Sequence, residues 1–216
     1  MGLGVDGIDG EDGLGIPGPA GTGTSGASLL GLVAPSSLSV PSLGSFTWGN
    51  QGDATATANA GGGLWFEASG VQQDIRFLYV AASGSFTAIC GYMDGNVSPL
   101  VALRESSSGK LIGADASNGA GANVLGIFKY NSYTSFNANY ISNSSAPASI
   151  FKFWKITSNG TVYTWYWSVD GQSWEQYLQK NVNDFFTTAA DQIGMAINPN
   201  NASIRTGLLW VYWSLA

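Results

Sequence analysis

Apolar and polar residues alternate in short runs from Phe46 onward, and Gly, Asn, Ser and Asp residues separate the runs. These turn-forming residues recur at a spacing of roughly 8–12 residues, which is typical of β-sandwiches and barrels. In the run 161–169, Tyr163, Trp165 and Trp167 share one face of a predicted strand, because side chains alternate between faces. No long segment shows a helical period. The pattern therefore predicts an all-β head over residues 46–216.

The alternation also predicts individual strands and one tight turn. The strands are expected near residues 63–68, 74–81, 85–92, 99–106, 110–116, 124–131, 134–141, 150–158, 161–169, 192–198 and 207–215. Asn159-Gly160 lies between two of these runs, and Asn-Gly accepts the positive φ angles of a hairpin turn. Cys90 shares a predicted strand face with Phe86 and Tyr92, which indicates a buried core thiol.

Glycine recurs at every third position within residues 1–23, with one slip after Gly13. Only glycine fits at the axis of a collagen triple helix, so this period predicts a collagen-like acidic leader that forms trimers. The predicted trimerisation and attachment residues are Gly4, Gly7, Gly10, Gly13, Gly15, Gly18 and Gly21. The alternative is a plain flexible linker, because short Gly-Asp tracts are common in linkers.

Residues 24–45 form a connector that is rich in Ser, Gly and Pro. Its apolar residues Leu29, Leu30, Leu32 and Val33 allow two interpretations. Three copies of the segment, one from each chain, would pack on a threefold axis and nucleate the trimer. In the other interpretation the segment lies along its own head as an edge strand, where proline is tolerated.

The charge of the chain is low and unevenly distributed. The net charge is −6, only 10% of residues are charged, and residues 1–75 contain no Lys or Arg. This balance argues against a nucleic-acid partner, because phosphate binding needs clustered Lys and Arg. No apolar run of about 18 residues is present, which argues against membrane insertion. The leader's carboxylates either dock in a basic socket of a larger assembly or remain solvated.

The residues needed for most enzymatic mechanisms are missing. The chain has no histidine, which excludes Ser-His-Asp and Cys-His catalysis and His-based zinc sites. Glu105 is next to Arg104 and is expected to form a surface ion pair, while Asp170 has no second carboxylate nearby with which to hold calcium. The other carboxylates considered for a glycosidase pair are scattered among turns and strand ends: Glu67, Asp74, Asp94 and Asp115. We predict a protein that is not an enzyme and that has no metal site and no cofactor.

Several residues are candidates for ligand binding. Two predicted turns contain the weak candidates Asp94, Asn96, Asp115 and Asn118, since binding residues favour loops on a rigid scaffold. The strand face of Tyr163, Trp165 and Trp167 is either an aromatic platform or part of the core. A second aromatic patch is formed by Tyr130, Tyr133, Phe136 and Tyr140.

Four stretches carry a resemblance to a known fold family. They are Leu103–Ile112, Phe153–Gly160, Tyr166–Trp174 and Asp191–Ala196, and they include a Ser-x-Asp-Gly-x-x-Trp hairpin before an Ile-Gly strand. Together they resemble the concanavalin A-like lectin/glucanase jelly roll over about residues 60–215. The resemblance implies an antiparallel jelly-roll β-sandwich. It does not extend to the Glu-x-Asp-x-Glu motif of active glucanases, which this chain lacks. Within the hairpin, Asp170-Gly171 is expected to close the turn, and Trp174 to return apolar surface to the core.

A collagen-like leader followed by such a head resembles the fibre and appendage proteins of bacteriophage virions. The resemblance implies a homotrimer at the virion surface that is made in the host cytoplasm. Its leader would serve trimerisation and attachment to other virion structural proteins, and its head would bind host-surface carbohydrate. The alternative is a structural capsid decoration or head-fibre protein without a specific ligand.

Overall fold

The computed structural model describes residues 39–60, 62–70, 73–95, 98–119, 122–143, 151–199 and 202–216. The predicted leader 1–23 and most of the connector 24–45 lie outside these residues, so the predictions made for them stay predictions. Of the connector, Ser39 forms a β-bridge with Trp213, and a 3-10 turn covers Leu43–Ser45. No helix in the described ranges is long and apolar enough to cross a membrane.

The described residues form fourteen β-strands. They are β1 Thr47–Asn50, β2 Thr55–Ala58, β3 Leu64–Gly70, β4 Arg76–Ala81, β5 Ser85–Gly95, β6 Ser98–Arg104, β7 Leu111–Gly119, β8 Ala122–Ser132, β9 Ser135–Asn143, β10 Phe151–Asn159, β11 Val162–Ser168, β12 Glu175–Asn181, β13 Gln192–Asn198 and β14 Ala202–Leu215. The first sheet has the order β1-β4-β13-β6-β7-β8-β9, and the second has the order β12-β11-β10-β5-β14-β3-β2. All pairings are antiparallel, which confirms the predicted all-β antiparallel class.

Each strand that the alternation predicted is present, whereas β1, β2 and β12 were not predicted. These three strands lie at edges of their sheets. An edge strand buries little side-chain surface, so its sequence does not need the regular apolar alternation by which strands are recognised. In β12, Glu-Gln-Tyr-Leu-Gln-Lys-Asn is mostly exposed and does not alternate cleanly.

The main core lies between the two sheets. Trp154, Trp165 and Trp210 of the second sheet are each 0% exposed, and they pack in one cluster with residues such as Leu78 and Met195 of the first sheet. Burying aromatic side chains of this size dominates the hydrophobic stabilisation of a domain.

Two smaller apolar clusters lie on the outer faces of the sandwich. Phe77 belongs to a different cluster from its neighbour Leu78, and Phe153 to a different cluster from its neighbour Trp154. Since consecutive strand residues point to opposite faces, Phe77 marks an outer cluster on the first sheet and Phe153 one on the second. The sheets therefore carry apolar side chains on both of their faces.

The local predictions for Cys90 and the Asn159-Gly160 turn are confirmed. Cys90 is 0% exposed in the core, and burial raises the pKa of its thiol well above the usual value. Strands β10 and β11 pair as a hairpin, Gly160 has φ +86°, and the Asn159 side chain accepts hydrogen bonds from the Thr161 and Val162 amides at 3.0 and 2.9 Å.

The prediction for Glu105 is wrong: its side chain is buried rather than paired at the surface. The carboxylate accepts hydrogen bonds from the Thr187 amide at 3.0 Å and the Thr188 amide at 2.6 Å, as well as from the Ser108 hydroxyl. Burial alone would raise the pKa of Glu105, but the hydrogen bonds from Ser108, Thr188 and Thr187 outweigh it and lower the pKa to about 2. Glu105 therefore joins the β6–β7 turn to the segment between β12 and β13.

Candidate functional site

A shallow, open pocket of about 260 Å³ lies where β11 leads into β12. It is lined by Trp167, Ser168, Val169, Ser173, Trp174 and Glu175. Two indole rings, two hydroxyl groups and one carboxylate therefore surround one cavity. We call it the tryptophan pocket.

Asp170 holds the loop that forms the tryptophan pocket. Its Oδ1 accepts hydrogen bonds from the Ser173 amide at 2.7 Å and the Gln172 amide at 2.8 Å, and from the Ser168 hydroxyl at 2.8 Å. These bonds, that from Ser173 first, lower the pKa of Asp170 well below its usual range. Gly171 follows with φ +68°, which glycine adopts without strain. The predicted role of Asp170-Gly171 in closing a hairpin is confirmed.

Trp167 and Glu175 lie opposite each other on β11 and β12. The Trp167 indole Nε1–H donates a hydrogen bond to Glu175 Oε2 at 3.1 Å, although Glu175 is exposed. Glu175 makes no other hydrogen bond to the described residues. Its remaining acceptor capacity is therefore available inside the pocket, beside an indole ring whose orientation it helps to set.

Trp174 does not return to the core between the sheets, contrary to the prediction. It is half-buried and packs on the outer cluster of Phe153, Val211 and Tyr212. Lys155 Nζ lies 4.6 Å from the centroid of the Trp174 ring. Such a cation–π contact holds a partly exposed ring in place. Trp174 thus presents part of its apolar surface to the pocket.

Neither predicted aromatic surface is an open platform in the structure. Tyr163 and Trp165 are buried in the core, so that strand face is core rather than an open platform, and only Trp167 at its end is half-buried in the pocket. In the second predicted patch, Tyr130 is buried and packs edge-on against Phe136, which is 48% exposed. The rings of this patch do not form one open surface.

Three of the four weak ligand candidates lie in β5 and β7. Asp94 is in β5 and Asn118 in β7, with side chains that are not described, and Asn96 lies outside the described residues. Asp115 is in β7 rather than in a loop, and it is buried. Their role in binding stays a prediction.

The C-terminal parts of β5 and β7 and the tryptophan pocket lie at the same end of the sandwich. The Tyr92 hydroxyl bonds to both the amide and the carbonyl of Ala116, at 3.1 and 3.2 Å, which brings the ends of β5 and β7 together. In the second sheet, the last residue of β11, Ser168, pairs with Phe153, which in turn pairs with Gly91 near the end of β5. Since strands are about 4.8 Å apart, Ser168 at the pocket is on the order of 10 Å from Gly91 of β5.

The scattered carboxylates stay apart in the fold. Glu67 accepts hydrogen bonds from Trp65 and Thr55 on the second sheet, whereas Asp74 forms an ion pair with Arg76 beside the first sheet. Glu105 is the buried anchor described above. Within the described part of the chain, no three His, Cys, Asp or Glu residues lie close enough together to hold a metal ion.

The sequence did not identify Glu175 or the exposed part of Trp174 as site residues. Glu175 begins an edge strand that has no clear alternation, and the register of β11 and β12 shifts between Trp165 and Tyr166. The available signal was the closely spaced Trp167, Trp174 and Glu175 around a turn motif. Aromatic residues on either side of a tight turn lie near one another, whichever face of the hairpin each side chain is on.

No protein-family model matches the chain, and a search of curated protein sequences finds no match. Solved structures are similar in shape. A functionally unknown protein from Saccharomyces cerevisiae has a TM-score of 0.61 and 15% identity, over 82% of this chain and 98% of that one. The head has a concanavalin A-like jelly-roll fold.

Two further structures have the same fold. The GH43B protein of a Bacteroides ovatus xyloglucan PUL has a TM-score of 0.58 and 11% identity, over 80% of this chain and 36% of that one. The exoplasmic/lumenal domain of VIP36, in a form bound to Ca2+ and Man3GlcNAc, has a TM-score of 0.51 and 6% identity, over 80% of this chain and 83% of that one. At these identities the likeness concerns the fold alone, so it does not decide between binding and catalysis.

Proposed function

We propose that the head binds carbohydrate in the tryptophan pocket and that the protein is the adhesin of a trimeric virion fibre or appendage. In this proposal the leader trimerises and attaches the chain to other virion structural proteins, and the head contacts a glycan on the host surface. The protein acts at the virion surface and is not an enzyme.

The observation that carries the proposal is the composition of the tryptophan pocket. Sugars present apolar C–H faces and hydroxyl groups, so their sites combine aromatic rings with a few well-placed polar groups. Trp167 and Trp174 supply rings, while Glu175 and Ser173 supply an acceptor and a hydroxyl. The hydrogen bond from Trp167 to Glu175 fixes the ring and the carboxylate before a ligand arrives, which reduces the entropy lost on binding.

The fold and the leader give weaker support. VIP36, whose domain has this fold, is a protein seen with Man3GlcNAc bound. The glycine period, which requires three chains if it forms a triple helix, supports a fibre. A trimer would present three pockets, and multivalent attachment to a surface gains avidity without new contacts.

Replacing Trp174 with alanine is expected to weaken glycan binding about tenfold or more, because a stacked ring contributes on the order of 1 kcal/mol beyond its buried area. Binding would be found on a glycan array that includes Man3GlcNAc and xyloglucan fragments, and then measured by titration calorimetry. Trp65→Ala is the matched control, since Trp65 is another partly exposed tryptophan, at 37%, but lies on β3 away from the pocket. Equal losses in the two variants, or no binding to any glycan, would count against the proposal.

The second candidate function is a structural capsid decoration or head-fibre protein. It is favoured by the shallow, open shape of the tryptophan pocket, because small-molecule sites are usually larger and more enclosed cavities. Retention of the protein on tailless capsids, together with the absence of glycan binding, would support this function over the adhesin.

The full chain is expected to be a trimer of about 68 kDa, three times the 22.5 kDa chain mass, when measured by light scattering. Replacing Gly7, Gly10 and Gly18 together with alanine should shift the mass towards that of the monomer if the glycine period makes the trimer. A trimer that resists this substitution would place assembly in the connector or the head. A wild-type monomer would contradict the trimeric fibre.

A further inference from the structure

Three of the five lysines of the chain gather around two aromatic rings, at a place distinct from the tryptophan pocket. Lys129 Nζ lies 4.5 Å and Lys180 Nζ 5.2 Å from the centroid of the Tyr140 ring. Lys110 Nζ lies 5.1 Å and Lys129 Nζ 5.5 Å from the centroid of the Phe185 ring. We call this group the lysine cluster.

The lysine cluster lies where the two sheets meet along one side of the sandwich. Tyr140 is in β9, the edge strand of the first sheet, and Lys180 is in β12, the edge strand of the second. Lys180 is five residues after Glu175, so it lies roughly 17 Å along β12 from the tryptophan pocket. A ligand at one place therefore does not occupy the other.

The cluster concentrates three ammonium groups around two rings, with the carboxylate of Asp184 beside Tyr140. Lys129 and Lys180 each stand near the same ring, so their ammonium groups are at most about 10 Å apart. Neither forms an ion pair or donates a hydrogen bond within the described part of the chain, whereas Lys110 donates to the Phe185 carbonyl at 2.9 Å. Burial raises the pKa of the Tyr140 hydroxyl, and the nearby carboxylate of Asp184 raises it further.

Packing of lysine stems on aromatic rings explains one such contact, but not the grouping of three like charges in a chain of net charge −6. The lysines are half-buried, so their charges are less screened than those of fully exposed side chains. The half-buried rings of Tyr140 and Phe185 supply apolar surface beside the ammonium groups. A saccharide with an anionic group would match the ammonium groups by its charge and the aromatic rings by its apolar ring face.

We propose that Lys129 and Lys180 bind the carboxylate or phosphate of an acidic saccharide, whose ring packs on Tyr140 and Phe185. Lys110 positions Phe185 through its bond to the backbone carbonyl. This second site lies beyond the proposed tryptophan pocket and does not depend on it. It gives the head selectivity for anionic surface polysaccharides over neutral ones.

The test uses the full chain and titration calorimetry with tetragalacturonate, mannose 6-phosphate, inorganic phosphate and neutral maltotetraose as probes. The wild type should bind at least one acidic saccharide, and the affinity should fall as salt is raised from about 20 to about 200 mM. The double variant Lys129→Gln/Lys180→Gln should weaken that binding about tenfold or more, while Lys129→Arg/Lys180→Arg should stay within about threefold. The first two probes separate a carboxylate from a phosphate ligand.

The outcomes that overturn the proposal are specific. They are equal binding by the glutamine and wild-type proteins, no preference over maltotetraose, or binding of inorganic phosphate without either acidic saccharide. Thermal unfolding of each variant checks that the fold is kept, and the arginine variant provides a folded comparison if the glutamine variant is unstable. Trp65→Ala, which lies outside both sites, should leave acidic-saccharide binding unchanged. Neutral-glycan binding by Trp174→Ala tests the tryptophan pocket and acidic-saccharide binding by the glutamine variant tests the lysine cluster, so the two proposals fail in different measurements.

Discussion

Replacing Glu105 with alanine is expected to lower the free energy of unfolding by about 3 kcal/mol, because hydrogen bonds to a buried charged group each contribute about 1.5–3 kcal/mol and are not additive. The substitution leaves the Thr187 and Thr188 amides without their acceptor and removes the partner of the Ser108 hydroxyl. It also weakens the link between the segment before β13 and the β6–β7 turn, which then depends on the bonds from Ser106 to Asp191 and from Lys110 to the Phe185 carbonyl. Urea denaturation at neutral pH measures the loss.

The contribution of Glu105 should depend on pH in a defined direction. Its folded pKa of about 2 lies below the ordinary value of 4.5, so the folded state favours the ionised form. The stabilisation is therefore fully present above pH 4.5 and is lost as the pH falls from 4.5 towards 2. The stability difference between the wild type and Glu105→Gln should shrink over that window.

Glu67→Gln is the matched control for this pH dependence. It makes the same change of charge at a carboxylate whose hydrogen bonds are exposed, and it should change the stability by less than about 0.5 kcal/mol. A difference between wild type and Glu105→Gln that persists unchanged at low pH would show that ionisation of Glu105 does not stabilise the fold.

Replacing Gly194 with alanine is expected to cost about 3 kcal/mol or more, at the upper end of overpacking effects. Gly194 pairs with Tyr79 in the centre of the first sheet. A Cβ at Gly194 would lie 1.9 Å from the Leu78 carbonyl oxygen and 2.7 Å from the Tyr79 Cα. Both atoms belong to the backbone of β4, so no side-chain rotation relieves the clash and the two strands must separate.

Alanine substitutions at two other glycines serve as controls for Gly194→Ala. A Cβ at Gly44 would meet nothing within 4 Å, so Gly44→Ala should be within about 0.5 kcal/mol of the wild type. A Cβ at Gly113 would first meet the Leu100 side chain at 3.0 Å, which can shift, so Gly113→Ala should fall between the two. Denaturant midpoints of the three variants test this order. Similar stabilities for Gly194→Ala and Gly44→Ala would mean that β4 and β13 adjust without cost.

The alternation in the sequence predicts the interior of the sandwich well. It places Cys90 and Trp165 on faces that are buried in the structure, and it predicts each strand that has neighbours on both sides. Side-chain alternation is a local property of an extended chain, so it is visible without knowledge of strand pairing. Three of the four edge strands of the two described sheets, β1, β2 and β12, escape prediction because a strand with one neighbour needs no continuous apolar face, whereas the fourth, β9, is indicated by Phe136, Tyr140 and Ile141.

The candidate site was predictable only as a turn. The Ser168–Trp174 motif predicts a hairpin, and the hairpin is present, but Trp174 packs on the outer cluster instead of in the core. A shift of register by one residue moves the following side chains to the other face of a sheet. Such a shift occurs between Trp165 and Tyr166, where the sequence shows no sign of it.

The sequence by itself determined the all-β class, most of the strands and the absence of histidine-based chemistry, while the structure decided that the face of Tyr163 and Trp165 is core. Tertiary structure decided that Glu105 is an anchor rather than a surface charge, because its partners Thr187 and Thr188 lie about eighty residues away. It likewise brought Lys129 and Lys180 to one ring from opposite sheets, and it placed Trp174 on the outer cluster instead of in the core. Alternation is local and so can be seen in the sequence, whereas contacts between distant segments depend on strand pairing and register, which only the folded chain specifies.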